Sequence, residues 1–104
     1  MVYQKLVRDR IPQIIEENGG KAEIRILPDE EYRSYLEAKL DEETQEYHRD
    51  KNVEELADIL EVVYALAEAI GSDKAALMAA YQKKHDARGG FEKKILLIAS
   101  ENGL

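Results

Sequence analysis

Apolar residues recur at helical spacing through most of this chain, and the turn-forming residues between them set the boundaries. Residues 9–18 predict a first helix, with Asp9 able to cap it, Pro12 in its first turn and Gly19-Gly20 to end it. Residues 22–27, AEIRIL, are β-prone and bounded by Gly and Pro, which fits either a strand or an extended arm. Pro28-Asp29 opens a long helix over about 29–49. Asn52 can cap the next, about 53–70, which Gly71 ends. Ser72 or Asp73 starts a fourth over about 73–87, and Gly89-Gly90 breaks it. The tail FEKKILLIAS is short and apolar and fits a helix or a strand. No repeat or low-complexity segment interrupts the pattern. Four helices with short connections predict one all-α domain over 1–104, an antiparallel bundle.

The faces of these helices are less ordinary than their lengths. At about 100° per residue, Tyr32, Leu36, Leu40 and Tyr47 line up on the long helix, with Glu43 in the middle of the stripe and Lys39 and Glu46 along its edge. A carboxylate centred on an apolar stripe needs a partner or must stay protonated. The third helix carries two apolar faces. Val53, Leu56, Ala57, Leu60, Val63, Tyr64 and Ala67 form one, and Ile59, Val62, Leu66 and Ile70 form the other, with Glu55 inside that second face and Asp58 on its edge. A helix apolar nearly all round sits centrally in its assembly. In so short a chain, two such faces predict a homodimer or homotetramer that completes the bundle, with the Ile59-Val62-Leu66-Ile70 face meeting another subunit.

Glu43/Glu46 and Glu55/Asp58 are i, i+3 pairs, so each pair shares one helix face. Two antiparallel helices facing each other would bring all four carboxylates together. Like charges at that range repel and raise each other's pKa, so the group calls for a counter-charge. Mg2+ or Mn2+ is the fitting cation: both are hard, take oxygen ligands and bind substrate phosphates. Plainer readings exist. Glu43 and Glu46 fit solvated helix acids, Asn52-x-x-Glu55 fits a capping box, and Asp58 fits a first-turn acid favoured by the helix dipole. The two pairs taken together, both touching apolar faces, favour the metal site.

Composition narrows the class further. Fifteen basic residues against 22 acidic ones give a net charge of −7, which disfavours a nucleic-acid binder. The chain has no cysteine, which excludes disulfides and thiolate metal sites. No apolar run approaches the ~20 residues of a membrane span, and MVYQKLVRDR has no apolar signal core, so no membrane partner and a cytoplasmic location are expected. Lys83, Lys84 and Arg88 close the fourth helix. They fit dipole complementation at a C-terminus, or phosphate neutralisation by a point charge and a bidentate fork. His48 and His85 read as surface residues, and the six tyrosines as packing.

The acidic signature resembles that of the all-α nucleoside triphosphate pyrophosphatase superfamily, the MazG-like and phosphoribosyl-ATP pyrophosphohydrolase-like proteins. Its E-E-x-x-E and E-x-x-D read here as Glu42-Glu43-x-x-Glu46 and Glu55-x-x-Asp58. The start YQKLVRDRIPQII, the phrases KLDEETQEY and EELADILEVVYAL, and the end RGGFEKKILL also look like a compact branch of this group. Lys51 and the Lys84/Arg88 pair occupy places corresponding to the basic residues of MazG-type enzymes. One departure is the short link between the acidic pairs, which leaves room only for a tight turn.

The resemblance implies a Mg2+-dependent enzyme that cleaves the α–β phosphoanhydride of a nucleotide substrate, giving a nucleoside monophosphate and pyrophosphate. It implies metal ligation by Glu43, Glu46, Glu55 and Asp58, with Mn2+ as a substitute. Glu42 would be a base or additional ligand within the catalytic Glu42/Glu43/Glu46 group. Lys51, Lys84 and Arg88 would meet the phosphates, from the same or a neighbouring subunit. Two other readings stand beside it: a phosphoribosyl-ATP pyrophosphohydrolase-type enzyme, and a non-catalytic helical oligomerisation module with solvated acids.

Overall fold

A computed structural model describes residues 4–103; Tyr3, which opens the N-terminal motif, and Leu104 lie outside them. The described residues form four helices and no strand: α1 (Ile11–Glu17), α2 (Asp29–Asp50), α3 (Val53–Ala69) and α4 (Lys74–Arg88). The protein is an all-α helical bundle. Among the described residues, no helix is long and apolar enough to cross a membrane.

Local chemistry explains most of the boundaries. α2 opens with Asp29, Glu30 and Glu31 and closes with His48 and Arg49, charges that complement its dipole at both ends. It stops at Lys51, held in the left-handed region at φ 50°, whose N–H donates to the Tyr47 carbonyl. The backbone N–H of Glu55 donates to Asn52 Oδ1 at 3.0 Å to start α3, and that of Ala76 donates to Asp73 Oδ1 at 2.8 Å to start α4. Gly71 (φ 90°) and Gly89 (φ 79°) turn the chain after α3 and α4.

The first helix starts later than its sequence predicts. Arg10, not Asp9, is its cap residue, and no side chain caps it. Arg10 is already in helical conformation (φ −91°, ψ −3°), which removes Asp9 from capping position. Asp9 instead acts on the Tyr32 phenol, whose pKa is pushed up first by burial and then by the Asp9 charge. Residues 22–27 form an arm that is neither helix nor strand, with Ile26 84% exposed, because no second strand is present among the described residues to pair with them. Arg25 ties this arm to α2 through both oxygens of Glu31, at 2.8 and 3.2 Å. The apolar tail after Gly90 is likewise neither helix nor strand, and Ile95, Leu96, Leu97 and Ile98 are all exposed.

Only Lys51 and Asn52 separate α2 from α3, so the two run antiparallel and pack along each other. The core consists of Leu36 on α2 and Val62 and Ala67 on α3, and Glu43 is buried with them. α4 meets α3 where Ala76, Leu77 and Ala80 approach Val63, Leu66 and Ile70, and the Lys74 ammonium lies 4.4 Å from the Tyr64 ring centre. Both apolar faces of α3 are covered in part within the chain: on the first, Ala67 is buried and Val63 and Tyr64 are half-buried, and on the second Ile70 is 61% exposed. Val62 is buried and Ile59 and Leu66 are half-buried within the chain, whereas Val53 (70% exposed), Leu56 and Leu60 face outward. The tight turn is the reason: it directs the side of α3 that carries Glu55 toward α2.

This packing leaves much of the chain uncovered. The accessible surface is 9475 Å², against roughly 6,000 Å² for a compact monomer of this mass. The radius of gyration is 18.2 Å, against about 13 Å for a compact domain of this length.

Candidate metal centre

Glu43 is one helical turn from Lys39 and two from Leu36, so the packing that buries Leu36 also draws Glu43 under α3. Its residue is only 6% exposed. Oε1 lies 3.3 Å from the Lys39 ammonium, and Oε2 is buried without a hydrogen-bond partner. A buried carboxylate oxygen with no donor is costly, and it has a purpose only if something else satisfies it.

The neighbours of Glu43 are other acids. Glu42, Glu43 and Glu46 on α2 can bring one oxygen each within 4.8 Å of one another, and so can Glu43, Glu55 and Asp58 across the two helices. Glu43 belongs to both groups. The first turn of α3, fixed by the Asn52 cap, places Glu55 opposite Glu46, with Asp58 on the following turn. Glu55 Oε2 is also buried with no partner, so the carboxylate is turned toward the acids of α2.

The electrostatics follow from this crowding. The Glu43 pKa is raised, first by burial and then by the hydrogen bond it shares with Glu46, against the lowering effect of Lys39. The Glu55 pKa is raised by burial, then by the charges of Glu46, Asp50 and Asp58. Two acids on facing helices therefore hold protons more tightly than free carboxylates, the signature of a site short of positive charge.

The donor set suits a hard divalent cation. All donors are carboxylate oxygens, the ligand type that hard divalent cations take, and within each group one oxygen per residue lies within 4.8 Å of the others. Both orphaned oxygens, Glu43 Oε2 and Glu55 Oε2, would gain a partner.

The basic residues divide into those the fold brings to the acids and those it does not. Lys39 lies 3.3 Å from both Glu42 Oε2 and Glu43 Oε1, and Lys5 lies 3.7 Å from Glu42 Oε1. Arg8 pairs with Asp58 at 3.7 Å and with Glu61 at 3.6 Å. Among the described residues, no ion pair joins Lys51, Lys84 or Arg88 to the cluster. Lys51 turns to the Tyr47 ring, 5.8 Å from its centre, and Lys84 and Arg88 are exposed near the far end of α4. Sequence reasoning missed Lys5, Arg8, Asp50 and Glu61 as neighbours of the site. Lys5 and Arg8 lie in a non-helical segment where periodicity carries no signal. Asp50 and Glu61 give no signal as single helix acids.

Fold and site together define a small all-α bundle with a carboxylate cluster, built across an antiparallel helix pair, that fits a hard divalent cation. No family model and no solved structure matches the chain. Over 42 residues, 40% of its length, the chain is 55% identical to a protein of Mycolicibacterium smegmatis described as an uncharacterized protein. The similarity covers 43% of that relative's own length.

Proposed function

We propose that this chain is a cytoplasmic, Mg2+-dependent nucleoside triphosphate pyrophosphohydrolase that removes non-standard nucleotides, producing a nucleoside monophosphate and pyrophosphate. The observation that carries the reading is the pair of buried, unpartnered oxygens of Glu43 and Glu55, facing each other across two helices among further carboxylates. The resemblance of Glu42-Glu43-x-x-Glu46 and Glu55-x-x-Asp58 to the MazG-like signature supplies the reaction class.

Glu43, Glu46, Glu55 and Asp58 would hold the cation. Bound there, Mg2+ supplies charge neutralisation for the phosphate oxygens and acidifies a water. The chain's own residues do the rest. The antiparallel helix pair keeps the carboxylates at fixed separation, so little reorganisation is needed as charge develops. Glu42, tethered by Lys39 and Lys5 at the edge of the cluster, would take a proton from the attacking water or serve as an additional ligand. That water's oxygen adds to the α-phosphorus, the bond to the bridging oxygen breaks, and pyrophosphate leaves with the bridging electron pair. Lys84 and Arg88, which form no ion pair with the cluster of their own chain among the described residues, would meet phosphates from a neighbouring subunit.

The surface accounting supports the subunit. Each chain exposes about 3,500 Å² more than a compact monomer, above the roughly 1,000–2,500 Å² that an obligate interface typically takes from each partner, so there is surface enough for one. The outward Val53, Leu56 and Leu60 face and the exposed tail supply apolar surface for it. The same surface also favours a second reading, a non-catalytic helical oligomerisation module. One experiment separates the two: pyrophosphate release measured over ordinary and modified nucleoside triphosphates with Mg2+, with Mn2+ and without metal. Release that requires metal supports the enzyme. Its absence across the panel, with an intact oligomer, supports the module.

A further inference from the structure

Of the N-terminal motif KLVRDR the mechanism above uses only the Lys5 contact to Glu42, yet the fold lays the whole motif beside the carboxylates. Residues 4–10 form no helix. Lys5 reaches Glu42 on α2, and Arg8 reaches Asp58 and Glu61 on α3, so the arm contacts the acids of both helices. Its position is fixed locally. The Ile11 N–H donates to the Arg8 carbonyl at 3.0 Å, and Leu6 is half-buried in a groove of about 220 Å³ with Tyr35, Ala38 and Lys39. Glu42 and Asp58 each share a carboxylate group with Glu43, which is nine-tenths buried with Oε2 unpartnered and points independently to a ligand at this cluster.

The strength of the Arg8 contacts is informative. Both are long, at 3.7 and 3.6 Å, both run through one terminal nitrogen, and the side chain is 56% exposed. Exposed ion pairs of this kind contribute little, so the guanidinium is exchangeable. Its remaining N–H donors form a planar fork that matches a phosphate bidentately. Asp58 is also in the group able to hold a cation, so Arg8 and a divalent ion call on the same carboxylate.

We propose that the Lys5–Arg8 arm is the polyphosphate-binding edge of this site, and that Arg8 exchanges from Asp58 and Glu61 to the phosphates of a nucleoside triphosphate when Asp58 turns to a cation. This rests on the metal reading of the acid cluster. It adds two residues on the same chain that bind the leaving pyrophosphate portion, and it makes cation and polyphosphate binding mutually reinforcing.

The test uses the full chain and its Arg8→Gln and Arg8→Lys variants. Calorimetric titration gives Mn2+ affinity alone, then the affinity for inorganic pyrophosphate at saturating Mn2+. Arg8→Gln removes a competitor for Asp58, so Mn2+ alone binds at least as tightly as to wild type. Pyrophosphate binding weakens by about ten-fold or more, the scale of a lost charge-assisted contact. Arg8→Lys keeps the charge without the fork and weakens it by an intermediate factor, which serves if the Gln variant does not fold. Pyrophosphate affinity within two-fold of wild type in whichever variant folds overturns the inference. If wild type binds Mn2+ and the variants keep wild-type pyrophosphate affinity, the arm inference alone fails. If wild type does not respond to Mn2+, the metal reading fails and the arm inference with it.

Discussion

Glu43→Gln tests the metal centre most directly, because the structure gives opposite signs to its effect with and without metal. At the 4.8 Å limit of its groups, each ionised neighbour repels Glu43 by about 3.5 kcal/mol at an effective dielectric of 20. Glu46, the acid that raises the Glu43 pKa, and Glu55 across the helix pair together oppose it by about 7 kcal/mol. The Lys39 ammonium at 3.3 Å returns about 5 kcal/mol on the same scale. The balance is repulsive, so the isosteric amide leaves the metal-free protein as stable or more stable. With Mn2+ the sign reverses. At a hundred times its dissociation constant, a ligand stabilises the fold by about 2.7 kcal/mol, or roughly 10–20 °C in Tm for a domain of this size. If the amide lowers Mn2+ affinity about a hundred-fold, the same concentration stabilises by only about 0.4 kcal/mol, a shift of a few degrees. Melting curves of both proteins across a Mn2+ series measure this. An equal rise in wild type and Glu43→Gln would refute the site, and a large loss of stability in metal-free Glu43→Gln would refute the repulsion that motivates it.

Three further outcomes are expected. Glu46→Gln should lower pyrophosphatase turnover by about 10²-fold or more, whereas Lys84→Met should raise KM with the Mn2+-induced Tm shift intact; steady-state kinetics beside melting curves reads both, and wild-type turnover in Glu46→Gln sinks the mechanism. Glu43 and Glu55 have pKa values raised above the ordinary 4.5, so their contribution to stability is fully present below that value and is lost as pH rises through the raised values. Metal-free Tm should accordingly fall as pH climbs above 4.5 through this window, while the shift produced by Mn2+ grows because its ligands must ionise; a Mn2+ shift independent of pH contradicts this. Sedimentation at micromolar concentration should give a dimer or larger, weakened by Leu56→Asp on the outward face of α3; a clean 11.9 kDa monomer would refute the assembly.

The chain's local chemistry determined its helices. Asn52, Asp73, Gly71 and Gly89 set caps and stops that act within one or two turns, and the boundaries of α2, α3 and α4 follow from them to within a residue. The two i, i+3 acid pairs were legible for the same reason, since helical spacing alone puts each pair on one face. What the sequence left open depends on partners distant in the chain. Residues 22–27 and the tail after Gly90 have strand-like composition, but a strand exists only where another pairs with it. How the apolar residues of α3 divide between core and surface depended on the angle at which the Lys51-Asn52 turn returns the chain, and that turn put the Glu55 side inward and left Leu56 and Leu60 outside. The placement of Lys5 and Arg8 beside the acids was decided by tertiary structure alone, because an irregular segment has no periodicity to announce where its side chains go.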